Sequence, residues 1–106
     1  MLFNDKGQNP IKGDKMHILS AKLTFIIPHA TSLKDKRQVS RSLIDKTRRK
    51  FNVSVAETGA QDVHKTLIVG LALVSGSPGH ARESLEEVIR FMEANTDGEL
   101  VEITEE

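Results

Sequence analysis

The sequence has no cysteine, no tryptophan and no tyrosine. Lack of cysteine removes disulfides, iron–sulfur clusters, thiolate zinc sites and cysteine nucleophiles together. It suits a cytoplasmic protein, which is the location expected here. The aromatics are four phenylalanines, Phe3, Phe25, Phe51 and Phe91. A sheet that stacks single-stranded RNA needs aromatic side chains on its strands. Phe3 lies near the N-terminus, Phe51 and Phe91 fall on helical patterns, and Phe25 sits on an inward strand register, so a stacking platform is not expected. No apolar run nears the roughly 20 residues of a membrane span. The N-terminus lacks the charged-then-apolar order of a signal peptide, and no membrane partner is expected.

What is present describes one domain. At 106 residues the chain can bury a modest core. Formal net charge is zero, yet the charge is unevenly placed. Lys34 to Lys50 holds eight Lys or Arg against Asp35 and Asp45, a net of +6. Residues 51–106 hold three bases against eleven acids, a net of −8. Such a chain can show a basic face without a basic isoelectric point.

Residues 1–16 carry Gly7, Pro10 and Gly13 without periodicity and read as a flexible tail, with the domain spanning 17–106. His17–Ile27 alternates as a strand, with Leu19, Ala21, Leu23, Phe25 and Ile27 on one side. Ser32 reads as a helix cap, with Asp35 able to reach back to it. Val39, Leu43, Ile44, Thr47 and Phe51 then recur at helical spacing, and Asn52 can end the helix in a left-handed conformation. Short strands are expected over Asn52–Glu57, Lys65–Val74 and Leu100–Ile103, the second apolar on both faces and therefore central. Between the last two, Ser77 and Pro78 open a helix with Ala81, Leu85, Val88, Ile89 and Met92 inward. The order is β-α-β-β-α-β, the α+β ferredoxin-like sandwich, with both helices on one face of a four-stranded antiparallel sheet. The other sheet face, with Ile18, Ile26, Ile68, Ala72 and Val74, is apolar enough that a homo-oligomer through it is expected.

The charge on the first helix is the main functional signal. At about 100° per residue, Lys34, Arg37, Arg41 and Arg48 fall within about 60° of one another. Lys34, Lys36, Arg37, Arg41, Arg48 and Arg49 are the candidate nucleic-acid contacts, made to phosphates rather than bases. The amides at the helix start near Ser32 form a weaker phosphate candidate, because Asp35 would repel an anion there.

Other constellations carry less. Glu57, Asp62 and His64 surround one loop, but their spacing matches no metal motif. His17, His29 and His80 are scattered. Ser75-Gly76-Ser77-Pro78-Gly79 lacks the Walker pattern and its lysine. An acylphosphatase-type loop before the first helix would need glycine and arginine, and Pro28–Ser32 has neither. No catalytic set, metal or cofactor is expected.

The segments FIIPHATSLKDKR (25–37) and SLIDKTRRKFNVSVAE (42–57), with Gln61-Asp62 and the run IVGLALVS, resemble the YlxP-like family. The resemblance covers about residues 17–103. It implies a small ferredoxin-like protein of an uncharacterised family. Genes of this family often lie beside translation and ribosome-maturation genes, which implies association with RNA or the ribosome. It supplies no catalytic residue. Val63-His64 stands where the family often has a Leu-Trp type of pair, which removes a stacking role there. The reading is therefore a non-enzymatic domain that binds RNA through its first helix. The alternatives are a homodimeric interaction module with an acidic protein partner, and a small-molecule or anion-binding regulator.

Overall fold

A computed structural model describes residues 14–106. The tail reading for residues 1–13 lies outside the described residues, while Asp14, Lys15 and Met16 are exposed and precede the first strand. The elements are β1 (His17–Ile26), α1 (Leu33–Lys50), β2 (Ser54–Gly59), β3 (Thr66–Ser75), α2 (Pro78–Ala94) and β4 (Glu99–Glu105). The sheet order is β2-β3-β1-β4, with every neighbouring pair antiparallel. This is the ferredoxin-like α+β sandwich.

The period-2 pattern of the strands decides which face is covered. Leu23, Phe25, Leu67 and Val69 are wholly buried, and Ala21, Val55, Leu71 and Leu73 nearly so. They meet Leu43 and Ile44 of α1 and Ala81, Leu85, Val88 and Met92 of α2 in one core cluster. Each large side chain fully withdrawn from water contributes about 1.5–3 kcal/mol. α1 lies mainly against β2, and α2 against β1 and β3. β4, at the sheet edge, is left thinly covered, and of its residues only Leu100 packs against the core.

The opposite face is less enclosed than a doubly apolar β3 suggested. Ile68 and Ala72 are half-buried, whereas Ile18 and Val74, cross-strand partners, are 59% and 63% exposed. β3 is central in order but covered on one side only among the described residues.

Two local details differ from the sequence reading. Asp35 reaches one residue further back than a capping box would: its Oδ2 accepts from Thr31 N at 3.0 Å and Thr31 Oγ1 at 2.7 Å, while Ser32 Oγ accepts from Asp35 N at 3.1 Å. α1 ends not in a left-handed Asn52 but at an extended Phe51, whose N–H donates to Thr47 O. The Phe51 ring meets Phe91 edge-on at 5.3 Å, which holds the chain on this path. In the β2–β3 connection Ala60 is left-handed, with φ 52°.

Candidate nucleic-acid interface

The apolar stripe of α1 fixes how its charges are shown. Leu43, Ile44 and Thr47 face the sheet, and Thr47 satisfies its hydroxyl on Leu43 O at 2.8 Å. Residues rotated away from that stripe must face water. Lys34, Arg37, Arg41, Lys46, Arg49 and Lys50 are all exposed. No carboxylate lies within ion-pair distance of any of them among the described residues. Asp45, in the middle of the helix, is exposed and pairs with none of its basic neighbours.

The cations of the last turn are not equivalent. Arg48 is exposed, and its Nη2 donates to Val55 O of β2 at 2.8 Å, which pins the guanidinium over that strand. Lys50 Nζ sits over the Phe51 and Phe91 rings, 5.8 and 5.3 Å from their centroids. Arg49 makes neither kind of contact.

Lys36 must be removed from the set of phosphate contacts. Its side chain is fully buried. Nζ donates to Ala60 O at 2.5 Å and Thr66 O at 3.2 Å, and lies 2.9 Å from Glu57 Oε2. The reason is angular: Lys36 lies on the sheet side of α1, about 160° around the helix from Lys34. A mere count of charges along the segment could not separate it from its neighbours; its place on the wheel could.

The same node disposes of the acidic loop candidate. Glu57 faces α1, taking Lys36 on one oxygen and Ser40 Oγ, at 3.3 Å, on the other. Asp62 and His64 are exposed in the loop beyond. Among the described residues no three acidic or histidine side chains come together as a metal site. Sequence reading also missed Lys65, whose Nζ donates to Pro28 O and Ala30 O, both at 3.0 Å. Two lysines thus tie the β2–β3 connection to α1 and to the turn before it.

The start of α1 is not an open anion site. Ser32 takes the Asp35 amide, and the Asp35 carboxylate covers Thr31. Hydrogen bonds from the Thr31 hydroxyl and amide hold the Asp35 carboxyl below its ordinary value, with smaller help from Ser32 and Lys34. The carboxylate therefore stays charged where a phosphate would have to sit.

What remains is a rigid helix with a line of cations, unpaired among the described residues, running from Lys34 through Arg37 and Arg41. Arg49 lies on its outer side, and Arg48 is fixed at its β2 flank. Such a line can meet successive phosphates without reading bases. No exposed aromatic accompanies it among the described residues: Phe25 is buried, and Phe51 and Phe91 are half-buried against one another. Among the described residues no helix is long and apolar enough to cross a membrane.

A family model described as a protein of unknown function, DUF503, matches residues 18–105. A relative described as uncharacterized protein YlxP, of Bacillus subtilis (strain 168), is 36% identical over 74 residues, which cover 70% of this chain and 80% of the relative. The matched span takes in all but the first residue of β1 and every later element, including the whole of α1.

Proposed function

The chain belongs to the DUF503 family of proteins of unknown function, and on that premise we propose that it acts by binding RNA, free or within the ribosome, rather than by catalysis. The observation that carries this reading is the set of exposed cations on α1 with no carboxylate partner among the described residues. A charged side chain kept free of neighbouring acids retains its full attraction for a polyanion. Lys34, Arg37, Arg41 and Arg49 make the phosphate contacts. Arg48 contributes charge from a fixed position, and Lys36 contributes only the rigidity of the helix. The scarcity of exposed aromatics makes recognition depend on backbone and shape.

The test is fluorescence anisotropy with a labelled structured RNA, comparing the parent with a Lys34→Glu/Arg37→Glu/Arg41→Glu variant. All three side chains are exposed and, among the described residues, unpaired, so melting should be unchanged while binding is lost. Equal RNA binding by a folded variant would end the reading.

A second reading follows from the open sheet face. Ile18 and Val74 stand opposite one another and remain largely exposed. A homodimer through this face would cover them and leave α1 free. Light scattering should then give a dimer that Val74→Lys converts to a monomer.

A further inference from the structure

The two ends of the sheet differ in how they are finished. β2 is short, its register with β3 is irregular between Glu57 and Gly59, and Arg48 already occupies a carbonyl of the strand. β4 has seven residues and its register with β1 also shifts, between Thr24 and Phe25, but among the described residues no side chain bonds to its outer edge. Among the described residues, its hydrogen bonds and those of Glu106 run inward to β1. An exposed strand edge is a row of unpaired amides and carbonyls ready to accept another strand.

The side chains of β4 say what kind of strand fits. Register with β1 sorts them by face. Leu100 and Ile103 lie opposite Phe25 and Leu23 and share the helix side of the sheet. Ile103 is nevertheless 47% exposed, and Val101, at the register shift, is 51% exposed. Together with Leu100 and Glu102, and with Ile89 and Glu93 of α2, they line a groove along the strand. Glu99 and Glu102 lie opposite Ile26 and Thr24 and share the open side. Neither forms an ion pair among the described residues. β4 thus offers Leu100, Val101 and Ile103 toward the helix side, with Glu93 of α2 at the rim and the Glu105–Arg82 ion pair at the end of the strand, and Glu99 and Glu102 on the open side.

We propose that the outer edge of β4 is a docking site for an extended segment of another protein in which apolar and basic residues alternate. Alternation sends successive side chains to opposite faces. The apolar ones cover Val101, Ile103 and Ile89, while the Lys or Arg residues stand opposite Glu99 and Glu102. Main-chain pairing supplies affinity and the alternating side chains supply specificity. A second copy of this chain is the wrong occupant. Pairing β4 with itself would bring Glu99 and Glu102 of both copies, which form no ion pair among the described residues, onto one ribbon, and facing like charges destabilise a strand pair. The site lies at the opposite end of the sheet from β2 and uses no residue of α1, so it stands or falls independently of RNA binding.

The probe is a short synthetic peptide of alternating lysine and valine, added to the full chain. Calorimetry should show binding, and hydrogen exchange should slow at the amides of β4. A backbone N-methylated peptide of equal charge should fail to bind, because it cannot pair. A peptide alternating glutamate and valine should also fail. Glu99→Lys/Glu102→Lys should weaken binding by about tenfold, the loss expected when two cross-strand charge pairs become repulsions. Ile103→Lys tests the apolar row separately and should weaken binding too. Equal binding of the N-methylated peptide, protection centred on β2 or α2, or unchanged affinity of the folded variants would each overturn the proposal.

Discussion

Lys36 Nζ lies 2.9 Å from Glu57 Oε2 and also donates to the carbonyls of Ala60 and Thr66. One buried ammonium therefore joins α1, β2 and both ends of the β2–β3 connection. Lys36 is wholly buried, whereas the Glu57 side chain is 17% exposed. The lysine is thus the more dependent partner. Removing one member of a buried pair leaves the other uncompensated, at a cost of about 3–5 kcal/mol. Glu57→Gln, which strands the buried ammonium, should approach that range. Lys36→Met should cost less, because the glutamate it strands can reach water. The double variant should cost less than the sum of the two. Chemical denaturation of the four proteins measures the coupling; simple additivity would show the pair to be energetically idle.

Ala60 occupies the left-handed region beside a lysine that bonds its carbonyl. For a residue with a Cβ this conformation costs roughly 1–2 kcal/mol. Glycine relieves that cost but frees the unfolded chain, which returns about 0.4–1 kcal/mol. Ala60→Gly should therefore be neutral to slightly stabilising, an unusual result for glycine in a connection between strands. A clear fall in melting temperature would mean that the Cβ makes contacts worth more than the strain.

The architecture was legible because each layer of the pattern agreed. Alternation in residues 17–27, the apolar run of residues 65–74 and the stripe of Leu43, Ile44 and Thr47 agreed on helices packed against a sheet with that run in its centre. The candidate site was legible by composition but not residue by residue. Lys34 and Lys36 look alike in the chain, yet one is exposed and the other buried. Charge alone argued for grouping them, whereas the helical period argued for separating them, and packing followed the period. Likewise Glu57 read as a companion of Asp62 and His64 because it is near them in sequence. A strand residue two places from Val55 faces the same way as Val55, toward α1, and that is where it found its partners.

The cap of α1 should leave a mark on acid stability. Thr31 donates two hydrogen bonds to Asp35 and depresses its pKa in the folded state. A group depressed on folding contributes stability above its unfolded pKa, and that contribution is lost as pH falls through the folded value. Thr31→Val deletes the hydroxyl donor and keeps the amide. Its Asp35 carboxyl should titrate closer to the ordinary aspartate range by NMR. The variant should melt lower than the parent at neutral pH, and the difference should shrink in acid as the carboxylate is protonated. A difference that persists unchanged below the folded pKa would assign the effect to packing instead.

Salt dependence gives the sharpest measure of how many α1 cations meet phosphates. Each neutralised phosphate adds about 0.7 to 0.9 to the slope of log affinity against log salt. With Lys34, Arg37, Arg41 and Arg49 engaged, affinity for a structured RNA should fall roughly 50- to 150-fold between about 50 and 200 mM salt. Lys34→Gln/Arg37→Gln removes two contacts, so the corresponding fall should be only about 7- to 12-fold. Arg48→Gln removes charge but none of the four contacts, so it should weaken binding with the slope nearly kept, and because it frees Val55 O it should cost some stability. Lys36→Met is the control. Because its ammonium never reaches solvent, a folded Lys36→Met protein should keep the parent slope even if it melts earlier. A reduced slope in that variant alone, with Lys34→Gln/Arg37→Gln unchanged, would place the contact surface somewhere other than the exposed side of α1.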